Sequence, residues 1–87
     1  MRVATPERYN VFFHNYDFTP MDFVVEILKT VFYKNDFEAT SLMLDVHHRG
    51  KALVGNYSYD IAASRQKFAT DIARRQGYPL KITVERS

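Results

Sequence analysis

Two amphipathic segments of this chain end at a glycine, the first at Gly50 and the second at Gly77, and residues typical of β-strands follow each segment. Gly50 and Gly77 stand where a left-handed residue ends a helix, and Pro79 blocks any continuation of the second segment. Residues 52–57 and 80–84 then supply β-branched, aromatic and alternating apolar positions. The second half of the chain is therefore predicted to alternate between helix and strand.

The first half carries equally clear boundaries. Residues 9–14 are rich in aromatic and β-branched side chains and predict a strand, and residues 15–18 predict a loop. Thr19 is expected to cap a helix, with Pro20 at its first position. Asn35, followed three residues later by Glu38, predicts a capping box at the start of the next helix.

Each predicted helix has an apolar face, and Ser58 is expected to cap the third one. The faces comprise Phe23, Val24, Ile27, Leu28, Val31 and Phe32; Ala39, Leu42, Met43 and Val46; and Ile61, Ala62, Phe68, Ala69, Ile72 and Ala73. Gly55 is predicted to allow a bulge in the second strand.

The predicted order is β-α-α-β-α-β, which indicates an α+β fold with a small three-stranded antiparallel sheet packed against three helices. The chain has 87 residues, so it is expected to form one domain. Residues 1–8 are polar and contain Pro6, and we expect them to form a short flexible arm before a core of residues 9–87.

Composition excludes several classes of function. The chain has no cysteine, so it has no disulfide and no thiolate metal site. His47 and His48 are adjacent and cannot share one ligand from a regular helix, so we expect no metal and no cofactor. No serine lies in a strained turn of the kind that presents a catalytic nucleophile, which argues against an enzyme. A net charge of +2 is small for a nucleic-acid protein, and the apolar runs are too short for a membrane span.

One constellation could form a binding site. Met21 and Val24 lie one turn apart on the first predicted helix, as do Met43 and Val46 on the second. Together they could form an apolar cup, with hydrogen-bond acceptors from the preceding loop and the second helix at its mouth: Asn15, Asp17 and His47. Such a cup suits a ligand with an apolar side chain beside a cation. The same spacing is also typical of ordinary core packing, and the spacing alone leaves both interpretations open.

The sequence resembles the ClpS adaptor family. The resemblance rests on YNV at residues 9–11, NYDFTPMDFV at residues 15–24 and LMLDVHHRGKA at residues 42–52. It continues through Ile61-Ala62 and GYPL at residues 77–80, so it covers nearly the whole core.

This resemblance implies an adaptor that recognises a destabilising N-terminal residue and hands the substrate to the N-terminal domain of a Clp-family AAA+ ATPase. The substrate α-amino group would meet Asn15, Asp17 and His47. Its bulky hydrophobic side chain, Leu, Phe, Tyr or Trp, would enter a pocket of Thr19, Met21, Val24, Met43, Val46 and Leu80. Met21 would exclude β-branched side chains. Asp60 and Arg65 would dock on the ATPase.

The chain departs from the family pattern at several points. Tyr16 replaces an acidic residue, and Ala63-Ser64 replaces a Glu-Thr pair beside the docking residues. An alternative is therefore a ClpS-like domain that has altered or lost N-terminal recognition and only modulates the ATPase. The arm is also shorter than in many relatives. We expect a monomer in the bacterial cytoplasm rather than the plastid stroma, without nucleic-acid or membrane partners.

Overall fold

A computed structural model describes residues 7–14 and 18–87 of the chain, and it confirms the α+β class and the β-α-α-β-α-β order. The elements are β1 (Tyr9–His14), α1 (Met21–Thr30), α2 (Asp36–Arg49), β2 (Lys51–Tyr57), α3 (Tyr59–Arg75) and β3 (Lys81–Arg86).

The three strands form one antiparallel sheet in the order β2-β1-β3. Val11 pairs with Gly55 and Phe12 pairs with Leu53, so Val54 is an extra residue in β2. This irregularity is the bulge predicted at Gly55. A bulge increases the local twist of a strand, and β2 goes on pairing with β1 beyond it as far as Tyr57.

The core lies between one face of the sheet and the helices. Val11 and Phe13 of β1 are completely buried, as is Leu28 of α1, and the rings of Phe13 and Phe32 meet edge to face at 5.4 Å. Because side chains alternate across a strand, Phe12 and His14 lie on the opposite, open face of the sheet.

The predicted apolar face of α3 is partly wrong. Ala62, Ala69 and Ala73 are buried, whereas Ile61 and Phe68 are 44% and 55% exposed. Each exposed residue directly precedes a buried alanine, so its side chain points about 100° away around the helix. The alanines face the core because their small side chains let the helix axis approach the sheet closely.

Most helix boundaries agree with the sequence signals. Asn35 accepts a hydrogen bond from the backbone N–H of Glu38 at 2.8 Å, and the Glu38 carboxylate accepts one from the backbone N–H of Asn35 at 3.2 Å. Gly50 and Gly77 have φ values of 82° and 80°. The capping box and both glycine terminators are therefore confirmed.

Two predicted caps differ. Pro20, in an extended conformation, occupies the position before α1 that was predicted for Thr19, and it has no side chain that can cap. Ser58 does precede α3, but its hydroxyl makes no cap hydrogen bond. By residue type alone, Thr19 is the better N-cap. Because ψ of Pro20 is extended, Pro20 is the N-cap instead, and the helix begins one residue later than predicted.

Replacing Asn35 by Ala is expected to lower the free energy of unfolding by about 1 kcal/mol, because it removes the side-chain oxygen that accepts the hydrogen bond from the backbone N–H of Glu38. Urea denaturation measures the change. Ser58→Ala is the matched control, since Ser58 occupies the equivalent place without a cap hydrogen bond, and it should change stability much less. Equal losses for the two variants would contradict this account.

His14 gives folding stability a dependence on pH. Its Nε2 lies 2.8 Å from the Thr83 hydroxyl, and burial, followed by the charges of Lys81 and Lys51, lowers the pKa of His14 below its ordinary value. The unfolded chain then binds the proton more readily than the folded one. The resulting stability is complete above the unfolded pKa of about 6.5 and is lost as the pH falls through the folded pKa.

Between about pH 7.5 and about pH 5.5, we therefore expect the free energy of unfolding to fall less steeply in His14→Gln than in the original chain. Urea titrations at several pH values measure the slope. Leu53→Ala lies on the same open face of the sheet and adds or removes no titratable group, so it should keep the original slope. An unchanged slope in His14→Gln would show that this histidine does not carry the effect.

Candidate functional site

Four of the predicted pocket residues belong to one cluster. Val24 of α1, Val46 of α2 and Leu80 before β3 are buried in the core, and Met43 packs against it half-buried. α1 and α2, which carry three of these residues, pack directly on each other. We call these four residues the apolar wall; they belong to one hydrophobic core although they come from three separate parts of the chain.

Met21 is placed differently from this wall. It is the first residue of α1 and is 43% exposed, although Val24 lies one turn further along the same helix. An unbranched thioether at such an edge can change rotamer at little cost and adapt to what packs against it. Met21 is therefore a partly exposed residue at the start of α1, outside the buried cluster.

Thr19 presents a polar atom with unused bonding capacity. Its hydroxyl oxygen is buried and has no hydrogen-bond partner among residues 7–14 and 18–87. Leaving a buried polar group unsatisfied costs about 1–3 kcal/mol. A hydroxyl at the entrance of α1 is therefore available to a ligand or to the neighbouring loop.

His47 lies in the last turn of α2, one residue beyond Val46 and exposed to solvent. Its ring meets the ring of His48 edge to face at 5.2 Å. Among residues 7–14 and 18–87, the His47 side chain makes no hydrogen bond. The two other predicted amine-binding residues, Asn15 and Asp17, lie outside the described residues.

Leu80 also borders a groove that the sequence did not indicate. The groove lies between α3 and β3 and has a volume of about 300 Å³. The Gln66 side-chain amide crosses it and donates to the Ile82 carbonyl at 3.1 Å. Its lining residues are Gln66, Thr70, Arg74, Tyr78, Pro79, Leu80, Lys81 and Ile82. No sequence spacing links α3 to β3 in this way, because only the packing of the helix on the sheet creates the groove.

The predicted docking residues lie on α3. Asp60 is exposed in the first turn. Arg65 is half-buried, and its guanidinium carbon lies 4.9 Å from the ring centre of Tyr33 and 5.0 Å from that of Tyr57. Sequence reasoning missed these two tyrosines, which come from other elements and show no spacing relation to the arginine.

Residues 7–14 and 18–87 bring no three metal-ligating side chains together in a metal-binding group. Over the same residues, every helix is too short or too polar to cross a bilayer.

Comparison with known proteins identifies the family. The sequence profile of the family described as "ATP-dependent Clp protease adaptor protein ClpS" matches residues 4–83. The chain is 49% identical over 80 residues to the ATP-dependent Clp protease adapter protein ClpS of Acetivibrio thermocellus, covering 92% of this chain and 81% of that protein. It is 46% identical over 85 residues to the ClpS of Neisseria gonorrhoeae, covering 98% and 82%.

A solved structure shows the same fold. The structure of Agrobacterium tumefaciens ClpS2 bound to L-phenylalaninamide superposes with a TM-score of 0.92 at 36% sequence identity. The match covers 95% of this chain and 100% of that chain. The similarity therefore extends over the sheet, the three helices and the segment that ends in Leu80.

Proposed function

Because this chain belongs to the ClpS family of adaptors of the ATP-dependent Clp protease, we propose that it binds N-degron substrates and delivers them to a Clp ATPase. It is an adaptor and not an enzyme. The bound features would be the free α-amino group and a bulky hydrophobic first side chain, namely Leu, Phe, Tyr or Trp. The observation that carries this proposal is the ligand of the similar ClpS2, L-phenylalaninamide, which has a free amine beside a benzyl side chain.

The apolar wall supports recognition of the side chain. Val24, Met43, Val46 and Leu80 would surround it, with Met21 closing the rim. Burying one Leu or Phe contributes about 1.5–3 kcal/mol. Two methionines around the site suit a pocket that takes both aliphatic and aromatic side chains, because the thioether adapts its shape.

Recognition of the amine would depend on acceptors at the mouth. His47 accepts only as neutral imidazole, and Asn15 would accept through its side-chain oxygen, while Asp17 would contribute its charge. Each charge-assisted hydrogen bond contributes about 1.5–3 kcal/mol, against several kcal/mol for lost freedom of association. We therefore expect binding in roughly the micromolar range or weaker, which suits a complex that must release its substrate to another protein.

Asp60 and Arg65 would dock the adaptor on the N-terminal domain of the ATPase. Both lie on α3, whereas His47 and Met43 lie on α2. Placing the two functions on different helices lets one monomer hold a substrate and the ATPase at the same time. The two ClpS relatives named for comparison are bacterial, and we propose that the adaptor works in the bacterial cytoplasm.

A fluorescent peptide that begins with Leu or Phe should bind the chain, and the same peptide acetylated at its N-terminus should bind at least tenfold more weakly, since acetylation removes the cation and costs about 1.5–3 kcal/mol or more. Fluorescence anisotropy measures both affinities.

Equal affinity for the free and acetylated peptides would contradict N-terminal recognition. Binding of neither peptide, together with intact binding to the ATPase, would favour the alternative of a ClpS-like modulator without N-degron recognition.

Met21→Ala should relax the exclusion of β-branched side chains. We expect peptides that begin with Val or Ile to gain about fivefold or more in affinity, because loss of the thioether opens space at the rim. Peptides that begin with Leu should change less. Leu44→Ala, also on a partly exposed helical position, is the control and should leave both affinities unchanged. An unchanged Leu-to-Val ratio in Met21→Ala would show that Met21 does not select the side chain.

A further inference from the structure

Arg65 is held between two aromatic rings from different parts of the fold. Tyr33 comes from the connection between α1 and α2, Tyr57 is the last residue of β2, and Arg65 lies in the second turn of α3. The guanidinium carbon lies at nearly the same distance from the two ring centres, 4.9 Å and 5.0 Å. A cation over the face of an aromatic ring is attracted by the ring's quadrupole. Two rings therefore restrict where this cation can be.

The same guanidinium has no acidic partner in the part of the chain that the structure describes. The ion pairs there involve Lys29, Lys51, Lys67 and Arg86, and none involves Arg65. Asp60 lies on the same helix, but positions five apart do not face each other. An arginine has five N–H donors in a planar fork that matches a carboxylate. The aromatic contacts position this fork without using it for an acid.

The backbone of Tyr33 is unusual for its residue type. Its φ is 56°, in the left-handed region where glycine is the common residue, and its ring is 75% exposed. Burial does not explain a tyrosine at this position, since three quarters of its surface faces solvent. Its contact with Arg65 is the interaction that the structure shows for the ring.

The ring of Tyr57 lies close to the backbone of Gly55. A Cβ atom at Gly55 would lie 2.5 Å from the phenol oxygen of Tyr57 and 2.7 Å from the adjoining ring carbon. The absence of a side chain at Gly55 therefore leaves the space that the Tyr57 ring occupies. We call the two rings around Arg65 the clamp. One of them, Tyr57, belongs to the sheet, and the other is the exposed Tyr33.

An open groove adjoins the clamp. It has a volume of about 260 Å³ and is lined by Thr30, Val31, Tyr33, Ser64, Arg65 and Phe68. Phe68 is 55% exposed, so the groove offers an apolar surface directly beside the cation. A carboxylate that reaches Arg65 next to such a surface loses contact with water, and its attraction to the guanidinium becomes stronger.

We propose that Tyr33 and Tyr57 hold Arg65 ready to bind a carboxylate on the surface of the Clp ATPase, which makes Tyr33 a positioning residue of the docking face. This inference rests on the proposed docking through α3. It adds that the affinity depends on an aromatic residue outside α3, and that the partner presents an acidic side chain beside an apolar one.

A double-mutant cycle tests the proposal, with the affinity of the full chain for the Clp ATPase of the same organism measured by anisotropy or calorimetry. Tyr33→Gly removes the ring, and glycine adopts a positive φ readily. We therefore expect the variant to fold, which its melting temperature checks. We expect Tyr33→Gly to weaken binding about fivefold and Arg65→Gln to weaken it more. In the Arg65→Gln background, Tyr33→Gly should cause no further loss. Tyr33→Phe, which keeps the ring, should bind like the original chain.

Leu44→Ala, on α2, serves as the surface control and should leave ATPase affinity unchanged. All variants should also bind an N-degron peptide as the original chain does, which separates this docking face from the substrate pocket. Independent, additive losses from Tyr33→Gly and Arg65→Gln would overturn the proposal, as would equal losses in Tyr33→Gly and Tyr33→Phe. If the original chain does not bind the ATPase, the docking proposal fails and this inference fails with it, whatever the peptide affinity.

Discussion

The pairing of β1 with both other strands is the interaction on which the rest of this structure depends. β1 lies between β2 and β3, so its backbone hydrogen bonds join the second strand of the chain to the last. Val11 and Phe13 place their side chains beneath the helices with no exposed surface. A substitution that changed the position of β1 would therefore disturb the sheet, the packing of α3 on the sheet and the position of Leu80 together.

The two proposed surfaces use different helices around this central strand. Val24, Met43 and Val46 of the apolar wall lie on α1 and α2, while Asp60 and Arg65 lie on α3. Tyr57, the last residue of β2, lies against the guanidinium of Arg65 on α3. A residue of the sheet thereby contributes to the surface around α3.

Local signals in the sequence predicted the elements well, because each depends on a few neighbouring residues. The capping box at Asn35 and the glycines at positions 50 and 77 act through backbone geometry within one turn. The cap at Thr19 was wrong for a related reason, since several residues near a proline can begin a helix and residue type alone does not choose among them. The apolar face of α3 was partly wrong because Ile61 and Ala62 are equally compatible with a helical pattern, and only the distance to the sheet selects the alanine.

The sequence by itself determined the order of helices and strands and the family, since these follow from short motifs and their spacing; the pocket residues stay a prediction from the family resemblance. Tertiary structure decided that Val24, Met43, Val46 and Leu80 belong to one core, although they come from α1, α2 and the segment before β3. It also placed the rings of Tyr33 and Tyr57 around Arg65. Contacts between elements far apart in the chain have no local pattern, because they depend on the path of the backbone through the whole fold.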